Sequence, residues 1–179
     1  MGLSARADLV DVMGIASARI YAAFGSKEAL FREAVALYET NEGSFADQAL
    51  SGAKDIRSTL EEMFRAAIAL YTPARRGCMV VSAATNCSPE NAGLGQWLSD
   101  HRKARTQSII ERLEKAKTAG EIGREVDSTA LGDCCATLLH GLSVQARDGV
   151  DQARLEAAVT TFLAAFDAVT AQNRFSGSQ

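Results

Sequence analysis

The sequence predicts an all-α protein, and three observations carry that prediction. Alanine is abundant and only two prolines, Pro73 and Pro89, occur in 179 residues, so few positions deny the backbone its helical hydrogen bonds. Apolar residues recur three and four positions apart over most of the chain. β-branched residues never form an alternating run of useful length, so no sheet is expected.

The elements follow in order. Residues 4–12 read as a short helix with Ser4 as its cap, ended by Gly14. A second short helix begins at Ala16 or Ser17 and runs to about Ala23, and Gly25 breaks it. Ser26 caps the next helix, Glu28 suits its first turn, and Leu30, Phe31, Ala34, Val35 and Tyr38 form its apolar stripe. This helix frays at Asn41 to Gly43, and a loose segment is expected through Gly52. Ile56, Leu60, Met63, Phe64, Ala67, Ile68 and Tyr71 then mark a helix of four to five turns, closed by "TPARRG". "CMVVSAATNCS" is apolar on nearly all sides. A short buried helix is expected there rather than a strand, because no partner strand exists. Pro89 marks a new start, and a long helix runs to about Ala119. "GEIGREVD" is a turn, a helix spans about Ser128 to Arg147, and "DGVD" separates it from a last helix bearing Leu155, Val159, Phe162, Leu163 and Phe166. The domains read as 1–40 for a helix-turn-helix head, 41–172 for a helical body, and 173–179 for a flexible tail.

Composition narrows the function. Hydrophobic residues make up 47% and charged residues 23%, as in an ordinary folded domain. A net charge of -3 excludes a wholly basic nucleic-acid coat, but not a binder whose positive charge is confined to one end. No apolar run reaches the roughly 18 to 20 residues of a membrane span, and no signal-peptide pattern opens the chain, so the cytoplasm is the expected location. Cys78, Cys87, Cys134 and Cys135 match no zinc spacing, and no cofactor or metal is implied. They read as core thiols in a reducing compartment. The alternative is a thiol sensor at Cys78 or Cys87, where Arg75 and Arg76 can favour a thiolate. The only histidines, His101 and His140, sit on different helices, and no carboxylate pair, nucleophile set or nucleotide loop stands out. The chain does not read as an enzyme.

The opening pair of short helices is a helix-turn-helix candidate, since a major groove admits one helix. Ser17, Ala18, Arg19 and Ala22 are the groove-facing candidates. Arg19 can pair with a guanine edge or grip a phosphate. Tyr21 can present its hydroxyl to a phosphate, and Lys27 can hold one together with the free N–H groups of the following helix. Arg6 can touch the opposite edge of the groove. The structural alternative for Tyr21 is a half-buried ring with a wet hydroxyl. For Arg19 and Lys27 it is a solvated charge.

The run "MGIASARIYAAFGSKEALF" resembles the signature of the tetracycline-repressor-like (TetR/AcrR) family of bacterial transcriptional regulators. The resemblance is specific over residues 4–38 and persists beyond residue 45 as architecture. It implies that Met13 to Ile15 form the turn, Ala16 to Ala23 the recognition helix, and that Tyr21 and Lys27 bind phosphate. It implies a repressor released from a near-palindromic double-stranded operator by a small organic effector. Family members also carry a full helix ahead of the pair; here residue 1 lies almost at the second helix, so either the start is truncated or further residues precede Met1. A chain without that wall is expected to expose Leu9, Leu30 and Phe31 and to bind DNA weakly. The alternative reading is therefore a helical ligand-binding dimer with weak or lost DNA binding.

The last two helices have broad apolar faces: Leu131, Cys135, Leu138 and Leu142 on one, Leu155, Val159, Phe162 and Phe166 on the other. Either two copies pair through them as a homodimer, as the resemblance implies, or both faces merely close the protomer core. Gly132, Ala136, Gly141 and Ala146 permit close helix approach. A pocket is expected among Met63, Phe64, Ala67, Tyr71, Met79, Trp97, His101, Arg105 and Cys134. His101 serves either as a ligand donor or as a surface residue, and Trp97 as a ligand platform or as core. If Arg102 or Arg105 points inward, an anionic ligand becomes plausible, because a buried guanidinium needs a partner.

Overall fold

A computed structural model describes residues 17–84 and 92–171. Among the described residues eight α-helices occur: α1 (Ser17–Phe24), α2 (Lys27–Thr40), α3 (Phe45–Ser51), α4 (Ile56–Tyr71), α5 (Met79–Ala84), α6 (Ala92–Thr118), α7 (Ser128–Arg147) and α8 (Gln152–Ala171). Short 3-10 turns cover Glu42–Ser44 and Pro73–Arg75. The expected helix over residues 4–12, its turn and the tail from 173 lie outside the described residues. The chain divides into two compact units, one ending at Asn41 and one beginning at Glu42.

In the first unit, α1 and α2 pack together across Gly25, whose φ of 77° is a left-handed value that a side chain disfavours. Ser26 caps α2: its hydroxyl oxygen accepts the Ala29 N–H at 3.0 Å. Glu28 in the first turn pairs with Arg32 one turn on, at 2.7 Å. Val35 is fully buried, and Leu30, Phe31, Ala34 and Tyr38 are half-buried, so the apolar stripe of α2 is real.

The second unit is a bundle centred on α4. Its buried row, Ile56, Leu60, Met63, Phe64, Ala67, Ile68 and Tyr71, meets α7 and α8 in one continuous core. Asp55 caps α4 by accepting the Ser58 N–H at 2.9 Å and the Ser58 hydroxyl at 2.8 Å. Asp127 caps α7 through the Thr129 and Ala130 N–H groups, both at 3.0 Å. Residues 79–84 are helical, as expected in preference to a strand.

One element departs from the sequence reading. The segment expected to be loose through Gly52 contains α3, a seven-residue helix with Ala46 and Ala49 buried. Ser44 makes no side-chain cap bond to it, and a helix of two turns is not stable alone, so packing rather than local signal makes it. Phe45 anchors it edge-on to Tyr71, with ring centroids 6.0 Å apart.

Candidate nucleic-acid interface and ligand site

The candidate nucleic-acid residues lie on α1 and at the start of α2. Arg19 and Lys27 are exposed, as is Ala22. Lys27 is the first residue of α2, where the capped turn gathers N–H groups that have no intrahelical acceptor. Arg6 and the side chains of Ser17, Ala18 and Tyr21 lie outside the described residues.

The residues expected to line a pocket differ in burial. Met63, Phe64 and Tyr71 are at most 2% exposed and belong to the central core, with Phe64 edge-on to Phe162 at 5.5 Å between centroids. Met79 is half-buried at the start of α5. Trp97 and His101, one turn apart on α6, are in ring contact, with centroids 4.2 Å apart and planes tilted by 59°. Arg105 is held by the Asp47 carboxylate of α3. Cys134 is exposed, which corrects its assignment to an inner wall: consecutive residues point about 100° apart on a helix, and Cys135 takes the core position. Burial, then the neighbouring Cys134, pushes the Cys135 thiol up to about 12. Cys78 is half-buried and its N–H donates to the Ser143 hydroxyl at 2.7 Å, while Cys87 lies outside the described residues.

A cleft of about 290 Å³ opens elsewhere, between the start of α4, the turn after α6 and the end of α8. Its charged lining is already committed. Arg57 bridges Glu61 and Asp167, and the Glu121 carboxylate accepts the Ile56 N–H and faces Arg112. The Arg65 and Arg57 guanidiniums hold the Glu61 carboxyl below the usual range. Among the described residues no group of three or more His, Cys, Asp or Glu side chains is placed to hold a metal. No described helix is long and apolar enough to cross a membrane.

The residues assigned to pairing also need correction. Cys135, Leu142, Leu155, Val159 and Phe166 are at most 3% exposed in the single chain, so they have no surface left for a second copy. The most apolar face of α7 and α8 closes the protomer core. Leu131, Leu138 and Phe162 are half-buried at its edge. The outward rows are different residues. On α7 they are Ala130, Cys134, Thr137, Gly141 and Val144, three or four apart. On α8 the exposed positions from 157 to 169 are Ala157, Ala158, Thr160, Thr161, Ala164, Ala165, Asp167, Ala168 and Val169. A single charge among nine exposed positions is far from the charged mixture of a solvated helix face.

No family model matches the chain. Among solved structures it is similar to the TetR family transcriptional regulator CifR, a cysteine mutant complexed with 26-bp double-strand operator DNA. The TM-score is 0.84 and the identity 38%, over 89% of this chain and 84% of that one. It is also similar to a putative TetR transcriptional regulator from Rhodococcus sp. RHA1, with a TM-score of 0.64 and 26% identity over 93% and 88% of the two chains. The HTH-type transcriptional repressor ComR of Escherichia coli (strain K12) is 27% identical over 154 residues, 83% of this chain and 72% of ComR. Helix order, the capped joint at Ser26 and 38% identity over most of both chains lead to one conclusion: this chain belongs to the TetR family of transcriptional regulators.

Proposed function

We propose that the chain is a ligand-responsive DNA-binding transcriptional repressor acting as a homodimer. The observation that carries this reading is its likeness to CifR, a protein captured on double-strand operator DNA. In this chain α1 is the groove-reading helix, and Arg19 reaches a base edge or a phosphate. Lys27 and the first-turn N–H groups of α2 hold one phosphate, with Tyr21 holding another and Arg6 touching the far edge of the groove. Ser17, Ala18 and Ala22 complete the groove-facing set. The outward rows of α7 and α8, flanked by Leu138 and Phe162, pair two copies so that two heads meet successive turns of a near-palindromic duplex. A small organic effector bound in the body prefers one spacing of the heads and so changes DNA affinity.

The test is fluorescence anisotropy of labelled duplex with the full chain across a salt series. Binding that weakens steeply with salt, and weakens further in Lys27→Ala and Arg19→Ala, supports the reading. Salt-insensitive binding, or binding untouched by either substitution, favours a ligand-binding dimer without a DNA role.

A further inference from the structure

The inward row of α6 is unusual for a core helix. It runs Leu98, Arg102, Arg105, Ile109, Arg112 and Ala116, each three or four residues from the last. Leu98, Ile109 and Ala116 are fully buried. A guanidinium does not lose its charge in a protein, so each arginine on this row needs an acceptor or costs stability. Two have one. Arg112, 8% exposed, donates to the Lys54 carbonyl at 2.7 Å and lies 3.7 Å from the Glu121 carboxylate. Arg105 is paired with Asp47. The third, Arg102, is different: its Nη1 is buried and finds no acceptor among the described residues.

The surroundings of Arg102 show what is missing. Ile110 of α6 packs on Gly132 of α7. Eight residues back along α6 is Arg102, and eight residues on along the antiparallel α7 is His140, each about 12 Å from that contact. The two therefore stand at one level across the helix pair. Burial first, and then the Arg102 charge, hold the His140 imidazole below its ordinary 6.5, so it is neutral at pH 7. A neutral imidazole offers one N–H donor and no negative charge. The third helix packed on both, α5, carries no charged residue. The half-buried Arg102 thus has one buried nitrogen without an acceptor, and no ion pair with any described carboxylate satisfies it.

We propose that Arg102 is the anchor for an anionic effector, a small organic acid whose carboxylate pairs with the guanidinium while His140 donates to it. This rests on the ligand-responsive reading above and names the ligand class. The acid supplies the counter-charge that Asp47 gives Arg105 and Glu121 gives Arg112. It also ties α6 to α7, the helix that carries part of the outward pairing row.

The experiment uses the full chain, with calorimetric titration and thermal unfolding. The probes are straight-chain carboxylates from acetate to octanoate, together with benzoate, each beside its primary amide. At least one acid is expected to bind saturably and raise Tm while its amide does neither. Arg102→Gln is expected to weaken that acid about ten- to hundredfold, the scale of a lost charge-assisted contact. Without ligand, Arg102→Gln unfolds at or above the wild-type temperature, because an unpaired buried charge has been removed; a merely structural arginine would lower it. The proposal is overturned if no acid in the series binds, if an amide matches its acid, if Arg102→Gln binds as wild type does, or if its ligand-free Tm falls. Duplex binding is measured on the same samples. Retained duplex binding without acid binding removes the anion assignment alone, whereas acid binding without duplex binding removes the regulator reading alone.

Discussion

The side chain of Ile110 occupies the space where a Cβ on Gly132 would lie. This contact sets the distance between α6 and α7 and, through the helical repeat, the level at which Arg102 faces His140. Alanine at 132 gains about 1 kcal/mol of helix propensity but overpacks the contact at a cost of about 1–3 kcal/mol. Gly132→Ala is therefore expected to lower stability in denaturant unfolding. Adding Ile110→Ala removes the clash, so the double variant is more stable than the sum of the single changes predicts.

The N-terminus of α4 is held by two carboxylates, Asp55 from its own cap and Glu121 from the turn after α6. The Ser58 backbone and side-chain donors hold the Asp55 carboxyl below its ordinary 3.8. A depressed carboxyl stabilises the fold above its unfolded value and loses that contribution as pH falls through the folded one. Asp55→Ala is expected to cost about 1 kcal/mol at neutral pH. The gap from wild type should close below 3.8, as seen in urea unfolding at a series of pH values.

His140 shows the same protonation sense, but the form favoured on folding is the uncharged one. Its folded value lies below 6.5, so the unfolded chain binds the extra proton first and stability falls as pH drops through 6.5. His140→Gln is expected to flatten that part of the profile. Proton NMR of the imidazole, with His101→Gln to assign the second histidine, should place the midpoint below 6.5 and move it upward in Arg102→Gln.

The outward rows of α7 and α8 give a prediction about assembly. Charges placed at Ala165 and Val169 by Ala165→Arg and Val169→Glu touch no core residue, since both positions are exposed. Sedimentation should then report a monomer whose helical content matches wild type. A variant that stays dimeric moves the pairing face elsewhere.

Several features were legible in the sequence for identifiable reasons. Ser26 and Glu28 announce the start of α2, and the 3.6-residue rhythm from Ile56 to Tyr71 is α4 itself. Helix α3 was missed because its two turns lack a cap and depend on Tyr71 for their anchor. Periodicity alone cannot tell a pairing face from a core face. Both read as apolar stripes, and here Leu155, Val159 and Phe166 went inward. The inner row of α6 was hardest to see. Arginines at 102, 105 and 112 look like a solvated face until Asp47, Glu121 and the Lys54 carbonyl are found beside two of them. The sequence left open whether Arg102 or Arg105 points inward; Arg105 is paired with Asp47, and the Arg102 Nη1 is buried.

The most direct test of the regulator reading is selection of duplexes by the full chain from a random-sequence pool, at low and physiological salt. The account predicts enrichment of one near-palindromic sequence, two chains bound per duplex, and a Lys27→Ala variant whose log–log salt slope is smaller by about one. A pool with no enriched sequence, or one chain per duplex, would contradict it.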